Sequence, residues 1–264
     1  MKKDTNTARM PVVFVGHGSP MNAIEDNAVT RTWQKLGKDI SKPRAILVVS
    51  AHWETDGTQV FVDPEPETIH DFYGFPQELN SFQYPSPGEP QIAREVVAML
   101  SSVGAIGTED WGLDHGAWSV LCRMYPGADV PVFQVSLDRN LSLKEHYQIG
   151  RLLSPLREKG VLILGSGNIV HNLGEMDPRI NAEPASWAIE FDARIKQFLL
   201  ERNSAGLIHL EQMKLPLLHS ALPTLEHYLP LLYVAGASQE EDTLRFPVEA
   251  FHYSSLSMRS ILFR

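Results

Sequence analysis

The sequence predicts one α/β domain: a central, mostly parallel β-sheet with helices on both faces. Two observations carry this. Short continuous apolar runs alternate with stretches of helical periodicity. No repeat, low-complexity tract or linker divides the 264 residues, a length that can bury a sizeable core.

The elements follow in chain order. Residues 12–15, "VVFV", form the first expected strand, and Val29, Trp33 and Leu36 then fall at i, i+4 and i+7 on one helical face. Residues 45–50, "AILVVS", are apolar at nearly every position, as a strand covered on both faces should be. A weaker strand is expected over 59–62. Residues 63–88 are rich in proline and aromatics without clean periodicity. A loop this long in a compact domain is functional or disordered as a rule, and its aromatics argue for a wall or lid over a site. Pro90 suits a first helical turn, with Ile92, Val96, Val97 and Leu100 on the buried face behind it. Residues 117–124 look helical, and 130–136 form a further strand. Ser142 and Glu145 have capping-box spacing ahead of Ile149, Leu152, Leu153 and Leu156. A strand at 161–164, the longest helix at 184–200 and a weaker strand over 246–253 complete the pattern.

Composition narrows the function. The formal net charge is −9 with no basic cluster, which disfavours a nucleic-acid partner. No apolar run approaches membrane-spanning length, and the N-terminus does not read as a secretory signal. Cys122 is the single cysteine, so it forms no internal disulfide and no thiolate cluster; it reads as a buried apolar residue. A cytoplasmic location fits these features.

Histidines gather where strands end. "VVFVGHGSP" closes on His17, "ILVVSAHW" on His52, and "VLILGSGNIVHNL" leaves its strand through two glycines to reach His171. In an open parallel sheet those ends share one edge, where ligands bind. Any one such histidine is more often a hydrogen-bonded structural residue, but several converging on one edge suit a metal, because neutral imidazole is the commonest protein ligand. His17 and His52 are the stronger pair on spacing alone. His115, in "GLDHGAW", stands before a helical stretch whose N-terminus favours a neutral, proton-accepting imidazole. His227 lies beside Glu226 and Tyr228 ahead of another apolar run. His70 in the aromatic loop is a weaker candidate for touching substrate, and Trp53 and Trp118 read as core. "GSGN" lacks the rest of a phosphate-binding motif, and His146, His209, His219 and His252 have no suggestive context.

"GHGSPM", "SAHWET", "GLDHGAW", "GSGNIVHNL" and "EHYLPLLYVAGA", in this order and spacing, resemble the DOPA extradiol dioxygenases, a group of class III ring-cleaving dioxygenases. The resemblance runs from about Met10 to Met258, with no family pattern over the first nine residues or about 204–220. It implies a tail at 1–9 followed by one catalytic domain, 10–264, with a mixed, largely parallel sheet. It also implies that His17, His52 and His227 hold one divalent metal, and that His115 and His171 are catalytic, with His171 also a possible fourth ligand. His70, Phe72 and Tyr73, with Phe75, would cover the substrate. Bacterial relatives are associated with zinc and the wider class with iron(II), so Zn2+ is favoured and Fe2+ is the alternative. The implied reaction opens a catechol, L-DOPA first among candidates, with O2 to a seco-DOPA semialdehyde. Two other readings stand beside it: a metal-dependent hydrolase with Glu54 or Glu226 as base, and a Memo-like non-enzymatic binding protein on the same scaffold.

Overall fold

Six strands form the central sheet, and all but one edge strand are buried along their whole length, leaving no side for water. In a computed structural model, which describes residues 9–213 and 215–264, these strands are Val12–Gly16 (β1), Ala45–Ser50 (β2), Val132–Gln134 (β3), Val161–Gly167 (β4), Leu244–Val248 (β5) and Ser260–Phe263 (β6). The order across the sheet is β3-β2-β4-β1-β6-β5. The first four are mutually parallel, while β6 runs antiparallel to β1 and to the edge strand β5. The sheet is thus mixed and mostly parallel. The tail expected at 1–9 lies, apart from Arg9, outside the described residues.

Strand alternation divides the core into two layers. Val12, Phe14, Leu47 and Val49 face helices Pro90–Met99 (α2), Leu143–Leu153 (α4), Ser186–Leu200 (α5) and Leu229–Ala237 (α6). Val13, Val15, Ile46 and Val48 face Ala28–Asp39 (α1) and His115–Met124 (α3). The local rules hold where they were strongest. Ser142 and Glu145 form the capping box of α4, and Val29, Trp33 and Leu36 are the buried stripe of α1.

Three expectations need correction. The strand at 59–62 is present as Gln59–Phe61 but pairs with Ile106–Thr108 in a separate two-stranded ribbon. Residues 246–253 divide between the end of β5 and a short strand Phe251–His252, because the latter turns away to pair with Leu256–Ser257 and not with β6. Strand β6 was not anticipated at all. Against these, β2 spans the expected 45–50, and β4 extends three residues past its expected end, carrying Ser166 into the sheet.

The register sets the site. Gly16 lies opposite Gly167, and Ser50 opposite Ser166, so β1, β2 and β4 end at one level. Their next residues emerge side by side at the C-terminal edge.

Candidate metal centre

His17 is the first residue after β1, and its backbone N–H still donates to the Gly167 carbonyl at 2.9 Å. His52 follows β2 by two residues. Its ring rests on the start of α3, where a Cβ on Gly116 would stand 2.5 Å from Ser50 Oγ and 2.9 Å from His52 Cδ2. His227 precedes α6 and is anchored to β4: its carbonyl accepts the Asn168 N–H at 2.8 Å and lies 2.1 Å from where a Cβ on Gly167 would be. Glycine at 167 is what lets this approach occur. Asn168 also donates from its side chain to the Ser257 carbonyl at 2.8 Å and accepts the Gly18 N–H at 3.3 Å.

The three rings form a near-equilateral triangle. Centroid separations are 5.0 Å for His17–His52, 5.1 Å for His52–His227 and 5.2 Å for His17–His227. Three imidazoles bound tetrahedrally at about 2.0–2.1 Å to one ion would have centroids roughly 5 Å apart. His17 Nε2 and His52 Nε2 are 3.2 Å apart, close to the separation of two nitrogens sharing such an ion.

Hydrogen bonds on the far side of two rings fix which nitrogen is free. The Ser166 hydroxyl donates to the Gly116 carbonyl at 2.5 Å, so its oxygen must accept from His17 Nδ1–H at 3.0 Å. His17 Nε2 therefore carries a lone pair. Glu226 Oε1 accepts from His227 Nδ1–H at 3.0 Å, and His227 Nε2 is buried with no partner. For His52, Nδ1 lies 3.5 Å from Asp71 Oδ2. The free Nε2 lone pairs of His17 and His227, with His52 Nε2 beside that of His17, suit a cation between the three rings. Burial first, then the neighbouring histidines, pushes the His17 and His227 pKa well below the usual value, and His52 is held at about 3 by burial and then by His115. Neutral imidazole is the form a metal requires.

His115 opens α3, whose N-cap is Asp114. Asp71 grips it twice: Oδ1 accepts the His115 backbone N–H and Oδ2 accepts Nδ1–H, both at 2.9 Å. Burial would raise the Asp71 carboxyl, but the His115 hydrogen bonds and charge prevail and hold it at about 2. His115 Nε2 is thus left as an acceptor. His171 stacks flat on His227, with centroids 3.5 Å apart and planes 6° from parallel. Grouped by ligand atoms alone, His17, His52 and His115 lie within 4.8 Å of one another, as do His171, Glu226 and His227. The His52 and His115 rings crowd one another, with centroids 3.9 Å apart and planes 45° from parallel, whereas the centroids of the His17–His52–His227 triangle stand 5.0–5.2 Å apart.

These groups open into a cavity of about 400 Å3, walled by Pro20, Phe72, Phe75, Leu173, Met176 and Leu256. The aromatic loop supplies Phe72 and Phe75, as expected of a wall. It does not supply His70 or Tyr73. His70 turns away to the Phe82 carbonyl at 2.9 Å and packs on Trp118, and Tyr73 is 95% exposed outside the lining. Trp118 is fully buried and donates to the Ile69 carbonyl at 2.8 Å, pinning the loop; Trp53 stacks on Trp111. Glu226, offered as a hydrolytic base, is committed behind His227 and to the Thr224 hydroxyl, and Glu54 is exposed. Sequence reasoning missed Asp71 and Ser166. The first had a signal, an acid beside His70 in the loop; the second reads as a strand residue and had none. His146, His209 and His252 lie outside the cavity lining.

Residues 10–263 match the family described as the catalytic LigB subunit of aromatic ring-opening dioxygenase, a span that includes 204–220. The chain is 44% identical over 261 residues to a protein of Escherichia coli K12 named 4,5-DOPA dioxygenase extradiol, covering 97% of this chain and 95% of that one. A Beta vulgaris protein of the same name is 39% identical over 233 residues, 86% of each chain. A crystal structure of an uncharacterized E. coli K12 protein superposes with a TM-score of 0.84 at 40% identity, covering 97% of this chain and all of that one.

Proposed function

The chain belongs to the LigB family of extradiol ring-opening dioxygenases, and from that premise we propose that it opens the ring of a catechol at a single divalent metal held by His17, His52 and His227. The observation that carries the reading is the triangle of three imidazoles, His17 and His227 buried with their Nε2 lone pairs free and half-buried His52 bringing its Nε2 to 3.2 Å from that of His17. Three neutral imidazoles favour Zn2+, with Fe2+ as the alternative that redox chemistry recommends. When bound, the metal supplies Lewis acidity toward the catechol hydroxyls and, if iron, a path for electrons to O2.

The chain's own residues do the rest. His115 accepts a hydroxyl proton at Nε2, the nitrogen that Asp71 leaves unprotonated. Asp71 holds the ring in this tautomer and stabilises the imidazolium once formed, the role a carboxylate plays behind other catalytic histidines. His171 meets the opposite side of the substrate, handling protons and oxygen; its stacking on His227 favours this over a place among the ligands. Phe72 and Phe75 cover the ring and exclude water. L-DOPA is the first substrate to test, since the relatives carry its name, and a seco-DOPA semialdehyde is the expected product. Residues 10–264 are taken as one catalytic domain.

The test is dissolved-oxygen uptake by zinc-loaded and iron(II)-loaded protein given L-DOPA. Uptake matched mole for mole by a yellow ring-opened product, with one metal, is expected. No uptake with either metal and any catechol would overturn the proposal.

A further inference from the structure

We infer that Asn168 is a positioning residue that fixes where His227 stands relative to His17, and so the geometry in which the two would hold a metal. This rests on the metal site proposed above and assigns it a further residue. The three proposed ligands are not placed alike. His17 and His52 follow strands whose register the sheet sets, with Gly16 opposite Gly167 and Ser50 opposite Ser166. His227 follows no strand; it lies in the turn ahead of α6. Its position relative to the other two must come from bonds between segments. Asn168, fully buried and the first residue past β4, supplies them. Its backbone N–H donates to the His227 carbonyl at 2.8 Å. Its side chain is spent on two other segments: Oδ1 accepts from the Gly18 N–H, one residue past His17, and Nδ2 donates to the Ser257 carbonyl.

The segments that this side chain joins are themselves held. Ser257 Oγ donates to Asp192 Oδ1 at 2.7 Å, the Ser257 N–H donates to the Val170 carbonyl at 3.0 Å, and Arg259 Nε donates to the same Asp192 oxygen at 3.0 Å. The Ser257 carbonyl stands 2.4 Å from where a Cβ on Gly16 would be, so the end of β1 passes directly against it. Gly18 has a φ of +60°, which glycine adopts without strain, and a Cβ there would meet Met258 Sδ at 2.6 Å. The turn carrying His17 is thus pressed against Ser257 and Met258, and Asn168 is the strut between that turn and His227. A primary amide suits the task, since one planar group offers a donor to the carbonyl and an acceptor to the N–H. Without it the buried Gly18 N–H loses its acceptor, and the Asn168 backbone that holds His227 loses both side-chain anchors. A residue serving stability alone would loosen the fold when removed and leave the ligand geometry as it was.

The experiment titrates the full chain and its variants with zinc against a competing chelator, and separately with cobalt(II), whose visible absorption reports the arrangement of its ligands. Asn168→Ala removes the strut. It should weaken zinc binding by about tenfold or more, the scale of other partners that orient metal ligands, and change the cobalt spectrum. Should that variant fail to fold, Asn168→Gln decides. It keeps both amide functions on a side chain one methylene longer, so it should fold, bind cobalt and give a spectrum unlike the parent's. Asn203→Ala is the control: that side chain accepts the Gly206 N–H at 2.9 Å and lies outside the cavity lining. It should lower the urea midpoint and leave zinc affinity and cobalt spectrum unchanged. If the folded Asn168 variants kept the parent's cobalt spectrum and zinc affinity within about twofold, this inference would be overturned and the metal site would stand. If the parent bound neither metal, the metal site itself would fall and take the inference with it.

Discussion

Ser166 offers the sharpest test of how the site is built. Its hydroxyl donates to the Gly116 carbonyl and accepts from His17 Nδ1, all fully buried. Ser166→Ala strands one donor and one acceptor away from water. Each orphaned group costs about 1–3 kcal/mol, so a stability loss of about 2–6 kcal/mol is expected. The second consequence concerns metal. Without the serine oxygen, nothing holds the proton on Nδ1, and the tautomer that frees Nε2 loses its advantage. Outer partners of this kind are worth roughly 10–100-fold in metal affinity, or about 1.4–2.8 kcal/mol. The assay is a zinc titration against a competing chelator, run beside urea unfolding. Ser260→Ala is the control: that serine is equally buried and accepts from Trp33 Nε1 at 3.3 Å, but touches no site histidine. It should lose stability and keep zinc affinity. If Ser166→Ala were destabilised yet bound zinc within about twofold of the parent, the tautomer argument would be wrong.

His52→Ala should abolish metal binding, whereas His115→Ala should retain metal and lose turnover by about 10²–10⁴-fold, as removal of a general base does; metal analysis and oxygen uptake on the same samples separate the two. Gly116→Ala drives a methyl into Ser50 Oγ and the His52 ring, so a cost of about 1–3 kcal/mol in urea unfolding and weaker zinc binding are expected together. His146, outside the cavity, is buried against the Tyr233 hydroxyl, and burial lowers its pKa to about 4. Its folded pKa lies below the unfolded value, so its contribution is complete above about pH 6.5 and is lost as pH falls toward 4, by up to about 3 kcal/mol. Stability curves for the parent and His146→Asn should therefore diverge above pH 6 and converge near pH 4; parallel curves would refute the assignment.

Much of this was legible because strands reveal themselves. His17 and His52 could be read as partners since each terminates an unbroken apolar run, and parallel strands of one sheet end at one edge. His115 and His227 gave no such signal: a helix N-terminus and a loop are brought to that edge by packing, and only the resemblance pointed there. Asp71 stood in view beside His70, but its place behind His115 depends on the loop's course, which Trp118 sets by holding Ile69 and no period reveals. Phe72 and Tyr73 show the same limit from the other side. They are neighbours of similar chemistry, one turned into the cavity and one fully outward, and nothing in composition distinguishes them. Strand β6 escaped notice because it is four residues long and antiparallel, at the end of the chain.

The proposed roles of the two catalytic histidines also follow from this placement. A proton leaving a catechol hydroxyl needs an acceptor that remains comfortable when charged. His115 has a carboxylate at 2.9 Å behind it, on the same side as the Asp71–His52 contact. His171 is stacked on a ring of the metal triangle, and burial lowers its pKa to about 4, with Glu226 opposing the shift only in part. A cationic His171 would lie against a ring that itself faces the metal. The charge should therefore collect at His115, and His171 should act while neutral, as a hydrogen-bond partner to oxygen or the returning proton. On this reading the asymmetry originates in the aromatic loop. The sheet edge would collect the proposed metal ligands, and Asp71, supplied by a segment with no regular structure of its own, would determine which histidine is the base.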